Sequence, residues 1–147
     1  MPRDVRIRAA GIADIQAISE VLQQCGLSVE NVRPAACLCH VAEFGEIVAG
    51  CACGEIFDQT FVVRTVGVLP DFRERRIATH LVAALLMRAR ANGCTKAVLL
   101  TTEHPAFFAR YGFSLTSVDE LPTELELSRE FQRRFGAWTH CMCRRLD

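Results

Sequence analysis

Residues Thr65 to Leu86, TVGVLPDFRERRIATHLVAALL, constrain the fold more than any other stretch of the chain. An apolar run stops at Pro70-Asp71, an arginine-rich turn follows, and a helical pattern begins. Ile77, Leu81, Leu85 and Ala89 recur at the spacing of one helix face, with Ala78, Val82 and Leu86 beside them. Gly93 stands where a helix C-cap belongs. The pattern predicts a strand over Phe61–Leu69 and a helix over Arg75–Asn92. The opening N–H groups of such a helix have no internal partner. They lie at the positive end of its dipole, which suits a phosphate. Arg73, Arg75 and Arg76 add charge there. Strand-to-helix loops also carry arginines with no ligand nearby, so both readings stand on spacing alone.

The remaining elements are placed by the same periodicities. Val5–Ala9 reads as a strand. Ile15, Ile18, Leu22 and Cys25 mark a helix, with Asp14 near its N-cap and Gly26 closing it. Cys37–Phe44 and Glu46–Phe57 read as strands around a turn at Gly45. Lys96–Thr102 is an apolar strand. Pro105 opens a short helix that ends near Gly112, and Phe113–Val118 is a strand. Leu121, Leu125, Ser128, Phe131 and Phe135 suggest a helix opened by Asp119 and Pro122, and Trp138–Leu146 is the last strand. Antiparallel strands come first and a βαβ-like unit follows. The expected fold class is therefore mixed α/β, a twisted, mostly antiparallel sheet flanked by helices, in a single domain over 1–147.

Bulk properties narrow the function. Lys plus Arg is 17 and Asp plus Glu is 17, so the net charge is zero. No basic excess points to nucleic acid. No stretch reaches the roughly 20 apolar residues of a membrane span, and the N-terminus lacks a signal-peptide core. A cytoplasmic protein with a small-molecule partner is expected, and its eight cysteines are expected to be free of disulfides.

Thr65–Leu86 resembles motif A of the GCN5-related N-acetyltransferases, which has the form Arg/Gln-x-x-Gly-x-Gly/Ala after a Val-x-Pro strand end. Val68, Pro70, Arg73 and Ala78 match it. Arg76 departs from it, standing where the family has glycine. Ala97–Leu115 resembles the family's strand, short helix and Gly-Phe turn, here Gly112-Phe113. The likeness is closest to amino-acid acetyltransferases, namely the acetyltransferase domain of N-acetylglutamate synthase and the small arsenic-resistance enzymes. Leu99–Thr102, Phe107-Phe108 and Asp119–Pro122 carry it. The resemblance implies acetyl-CoA as co-substrate, direct acetyl transfer to a small amine such as an amino acid, no metal, and a homodimer. It implies that Val66, Gly67 and Val68 present main chain to the pantetheine and the acetyl group. The turn of Arg73, Glu74, Arg75, Arg76, Ile77, Ala78 and Thr79 would hold the pyrophosphate, with Phe108 at the cofactor.

Direct transfer needs an amine that loses a proton, a stabilised oxyanion and a departing thiolate. Many family members carry a tyrosine four residues before the Gly-Phe turn. That position is Phe108 here, and Tyr111 lies three residues later on a different helix face. Glu55, Glu103, His104 and Tyr111 are the catalytic candidates. Each also has a bland reading: a solvated strand end for Glu55, a cap before Pro105 for Glu103-His104, a rim aromatic for Tyr111. Arg64 suits a substrate carboxylate or is an outward strand residue. Three Cys-x-Cys pairs, Cys37/Cys39, Cys51/Cys53 and Cys141/Cys143, raise a metalloid-binding alternative. A two-residue turn at Gly45-Glu46 would set Cys39 near Ala52, with the first two pairs on opposite faces. A catalytically impaired, ligand-binding protein is a further alternative, motivated by Arg76 and Phe108.

Overall fold

A computed structural model describes residues 5–27, 37–101, 104–122 and 140–147. Its elements in order are β1 (Val5–Ala9), α1 (Ile15–Gln24), β2 (Cys37–Phe44), β3 (Ile47–Phe57), β4 (Thr60–Val68), α2 (Ile77–Ala91), β5 (Lys96–Thr101), α3 (Pro105–Arg110), β6 (Ser114–Leu115) and β7 (His140–Arg145). The strands form one sheet in the order β1-β2-β3-β4-β5-β7-β6. Among the described residues only the β4–β5 pair is parallel. The mixed α/β sheet expected from the element order is thus present. The strand expected over Phe113–Val118 shrinks to two residues, and Val118–Glu120 coils into a 3-10 turn. The helix expected from Leu121 to Phe135 lies almost wholly outside the described residues, as does Glu103.

Helix α2 buries the face its periodicity marks. Leu81, Leu85 and Ala89 are fully buried, joined by Ile77, Val82 and Leu86, and they pack on Phe61, Leu99 and Met142. The opposite face of the sheet packs on α1 through Ile18, Val21 and Leu22. Asp14 precedes α1, but its side chain does not cap that helix. Its carboxylate instead accepts the Gly11 N–H at 2.8 Å and two bonds from the Arg8 guanidinium, while Arg8 also pairs with Glu43. One arginine thereby ties β1, β2 and the start of α1 together.

The expected register of the β2–β3 hairpin is off by one. A bulge between Ala42 and Glu43 moves Cys39 opposite Cys53, not Ala52. The first two Cys-x-Cys pairs therefore share a face, the one under α1. Cys39 and Cys53 form a disulfide, which corrects the expectation that all cysteines are free. Strand pairing carries the same face across to β7, because Glu55 pairs Val62, Val62 pairs Val98 and Val98 pairs Cys143. Cys141 and Cys143 thus lie on it too, and only Cys94 belongs to the α2 side. Burial pushes the Cys51 thiol up to about 12 and the Cys141 thiol to about 11. These groups stay protonated at neutral pH and act as small core residues. Among the described residues no three His, Cys, Asp or Glu side chains gather as a metal site requires.

A second bulge shapes the middle of the sheet. Cys53 pairs Thr65 while Gly54 pairs Val63, which leaves Arg64 as the extra residue on β4. Gly54 is needed there, because a Cβ would lie 2.5 Å from the Val62 carbonyl oxygen. Just before this bulge β4 and β5 part. Their pairing covers only Thr60–Val62 against Lys96–Val98, although β4 runs on to Val68.

Candidate active site

The parting of β4 and β5 leaves part of a strand edge without a neighbouring strand among the described residues. Leu69 donates its N–H to Ala49 of β3 at 2.8 Å. Alternation therefore turns Val68 and Val66 the other way, toward the gap. The Val68 carbonyl confirms this direction. It accepts Arg73 Nε at 2.9 Å and the Cys25 thiol at 3.4 Å, neither of them part of the sheet. Gly67 faces α1, where a Cβ would meet Leu27, Cys25 and Leu22.

The open edge runs into a cavity of about 570 Å³ between the start of α2 and the helix α3. Val68, Arg73, Glu74 and Arg76 line it from the turn, with Ile77, Ala78 and Thr79 from the first turn of α2. Phe72 completes that side, and Phe107, Arg110 and Tyr111 form the opposite wall. The backbone of the turn is strained. Glu74 has φ 65° and Arg76 has φ 62°, both left-handed. Arg76 is the residue before α2 and has no side-chain cap bond. The left-handed geometry explains why glycine suits this position. Arg75 lies over the Phe72 ring, its guanidinium carbon 5.5 Å from the centroid.

Helix α3 is held by its C-terminal cap. Gly112, at φ 84°, donates to the Ala109 carbonyl, and Phe113 donates to the Phe108 carbonyl, both at 3.1 Å. This is a Schellman closure, and its usual apolar contact is present as the Phe108–Phe113 ring pair at 5.8 Å. The Gly-Phe pair noted in the sequence is therefore a helix stop. It turns Phe108 into the core and leaves Phe107, Arg110 and Tyr111 on the cavity side at i, i+3 and i+4. Arg144 Nη1 donates to the Tyr111 carbonyl at 2.8 Å.

The other candidates lie elsewhere. Arg64 is not an outward strand residue, and Glu55 is not a solvated end. Their side chains are 9% and 13% exposed and pair at 3.4 Å. The Cys37 thiol reaches the same Glu55 oxygen at 3.8 Å. This cluster sits on the α1 face at the bulge, not in the cavity. His104 is exposed just before α3, with its N–H on Thr101 Oγ1 at 3.2 Å. Sequence reasoning missed Phe72, Phe107, Arg110 and Cys25. The first three had a signal: one flanks the arginine turn, and the other two share the helical spacing of Tyr111. Cys25 had none, since its approach to Val68 bridges 43 positions of sequence.

Known proteins share both the sequence pattern and the fold. The profile of the Acetyltransferase (GNAT) family matches residues 13–113. The amino-acid acetyltransferase of Mannheimia succiniciproducens is 31% identical over 138 residues, 87% of this chain and 31% of the relative. That of Neisseria meningitidis serogroup B is 28% identical over 152 residues, covering 97% of this chain and 34% of the relative. The chain thus spans about a third of the length of the curated relatives it matches. N-acetylglutamate synthase from Neisseria gonorrhoeae, solved with coenzyme A and N-acetyl-glutamate, superposes with a TM-score of 0.77 at 25% identity, over 100% of this chain and 36% of that one. Rv2747 from Mycobacterium tuberculosis, solved with CoA and NLQ, shares the fold at a TM-score of 0.77 and 21% identity, over 95% of this chain and 98% of that one. With its strand gap, its left-handed turn and a family profile spanning most of its length, the chain belongs to the GNAT acetyltransferase family.

Proposed function

We propose that this chain is an acetyl-CoA-dependent N-acetyltransferase acting on the amine of an amino acid or amino-acid-like molecule. One observation carries the reading: beyond Val62 the β4 edge has no partner strand among the described residues, and it ends at a cavity beside the N-terminus of α2. The cavity fits the coenzyme by its chemistry. Its walls carry Arg73, Arg76 and Arg110, and the first amides of α2 are without helical partners. Amides from Arg76 to Thr79 hold the diphosphate. The Val66 carbonyl and the Val68 N–H pair with the pantetheine as a strand would, the Val68 carbonyl being held by Arg73 and Cys25, and the Val66 N–H steadies the oxyanion of the acetyl group.

The coenzyme supplies an activated acetyl thioester. The substrate amine forms the new C–N bond as the C–S bond breaks and the thiolate leaves. Arg64 receives the substrate carboxylate, its orientation set by Glu55. This arrangement favours His104, beside the end of β5, over Glu55 as the group that takes the amine proton, because Glu55 is already engaged. The likeness to amino-acid acetyltransferases supports the substrate class. A cytoplasmic location fits the balanced charge and the lack, among the described residues, of a helix able to cross a membrane. A homodimer fits the two-residue edge strand β6, where Leu115 is 67% exposed.

Calorimetry with acetyl-CoA, followed by thiol release across a panel of amino acids, tests the reading. Saturable coenzyme uptake and thiol release with at least one amino acid are expected. Arg64→Ala should raise the amino-acid KM about tenfold or more, with acetyl-CoA binding unchanged. No uptake and no thiol release would sink it.

A further inference from the structure

Helix α3 supplies one wall of the cavity but is too short to hold itself in place. It has six residues, Pro105–Arg110, and a helix of that length is unstable without tertiary support. Phe107, Arg110 and the capping residue Tyr111 line the cavity from it. The width of the cavity therefore depends on what fixes α3 to the sheet. At its start the His104 N–H donates to Thr101 Oγ1 on β5 at 3.2 Å. The Gly112-Phe113 closure ends the helix, but its two backbone bonds run to Ala109 and Phe108 of α3 itself and reach no strand.

The far end is tied by a residue of β7. Arg144 Nη1 donates to the Tyr111 carbonyl at 2.8 Å, across 33 positions of sequence. Its stem crosses Gly112, where a Cβ would lie 3.5 Å from Arg144 Cδ and Nε. The glycine thus serves both the left-handed cap and the approach of the arginine. Carbonyls at a helix end lack an internal partner, and a guanidinium is a stronger donor to one than a neutral group. Arg144 is itself fixed by the ladder, because β7 lies between β5 and β6 and pairs it with Ala97. The Tyr111 hydroxyl is buried without a partner among the described residues, so the polar hold on this residue runs through its main chain. Among the described residues, Arg144 and the rest of β7 do not line the cavity.

Resting on the acetyl-CoA reading, we propose that Arg144 is a positioning residue for the coenzyme. It acts through the Tyr111 carbonyl and keeps α3 at the distance from α2 that the coenzyme needs, without touching the ligand. Strand β7 thereby enters the binding machinery from behind the cavity wall.

The test uses coenzyme A calorimetry and steady-state kinetics on the whole chain and on four variants, Arg144→Met, Arg144→Ala, Arg144→Gln and Arg144→Lys, each with a thermal melt. Arg144→Met keeps the stem over Gly112 and removes the donor, and Arg144→Ala removes both. Arg144→Gln keeps a donor without charge, and Arg144→Lys keeps donor and charge. Arg144→Met and Arg144→Ala should raise the coenzyme A Kd and the acetyl-CoA KM about fivefold or more, with kcat at saturating acetyl-CoA and the amino-acid KM unchanged. Arg144→Gln and Arg144→Lys should each recover most of that loss. Arg144→Gln as weak as Arg144→Met, beside a native-like Arg144→Lys, would mean that the arginine attracts the coenzyme by its charge, and the positioning role fails. Affinities of both donor-free variants within about twofold of the native chain, whatever their Tm, would overturn it as well. So would a fall in kcat with the acetyl-CoA KM unchanged. A native chain that takes up no coenzyme sinks the acetyltransferase reading itself; a native chain that binds coenzyme beside unaffected variants sinks only the role of Arg144.

Discussion

Arg76 carries two opposed effects in one residue. Its backbone occupies a conformation that disfavours any side chain, and the residue borders a cavity that Arg73 and Arg110 also line. Stability and ligand affinity should therefore move in opposite directions when it is replaced by glycine. Arg76→Gly is expected to stabilise the free protein by about 1 kcal/mol, a Tm rise of roughly 2–4 °C, while binding coenzyme A less tightly. A melt of the free variant beside a calorimetric titration reads both. A Tm at or below that of the native chain would mean the turn is not strained at this residue. Arg64 and Glu55 show the same residue-level lesson in reverse. In the sequence each was a site candidate with an ordinary strand residue as the alternative, and next to a bulge the two side chains are buried and paired with each other.

At the scale of elements, the site depends on how two helices begin and end. The turn before α2 is a left-handed opening, and α3 ends in a Schellman closure at Gly112-Phe113. Gly112→Ala places a Cβ at φ 84° and should cost about 1–2 kcal/mol. Because Phe107, Arg110 and Tyr111 ride on the same short helix, the acetyl-CoA dissociation constant should rise in step. Urea unfolding and calorimetry on this variant check the pair of effects. Loss of stability with unaltered coenzyme affinity would separate the cap from the cavity wall. The end of the β4–β5 pairing at Val62 matters equally, since a full ladder would close the edge offered to the pantetheine.

The whole molecule should answer to pH in two steps. His40 is buried on β2 beside Arg88 of α2, and burial lowers its pKa below the usual 6.5. The fold therefore resists protonating it: this contribution is complete above 6.5 and shrinks as pH falls below that value. Asp14 is held at about 2, down from 3.8, by its bonds to Arg8 and the Gly11 N–H. Its contribution is complete above 3.8 and is lost as pH falls toward 2. Urea midpoints from about pH 7.5 to about pH 3 should thus decline in two stages. His40→Gln should flatten the first stage, and Asp14→Asn the second while lowering stability at neutral pH by about 1–3 kcal/mol. A native midpoint unchanged between neutral and mildly acidic pH would contradict the assignment to His40.

What the chain determined locally was legible without coordinates. Most strands, the α2 face, the caps at Gly26, Gly93 and Gly112, and the turn resembling motif A all depend on residues within a few positions of one another, where periodicity and backbone preference act. The tertiary structure alone decided the matters that rest on distant pairing. A bulge at Ala42 changed the partner of Cys39, and another at Arg64 accompanies the buried ion pair of Arg64 with Glu55. The fold also brought Cys25 to Val68, and Tyr111 to the cavity that Arg76 lines. A one-residue slip costs little in local energy yet reverses which face every later side chain occupies. Register and the convergence of separate elements are therefore set by packing across the sheet, which local patterns do not encode.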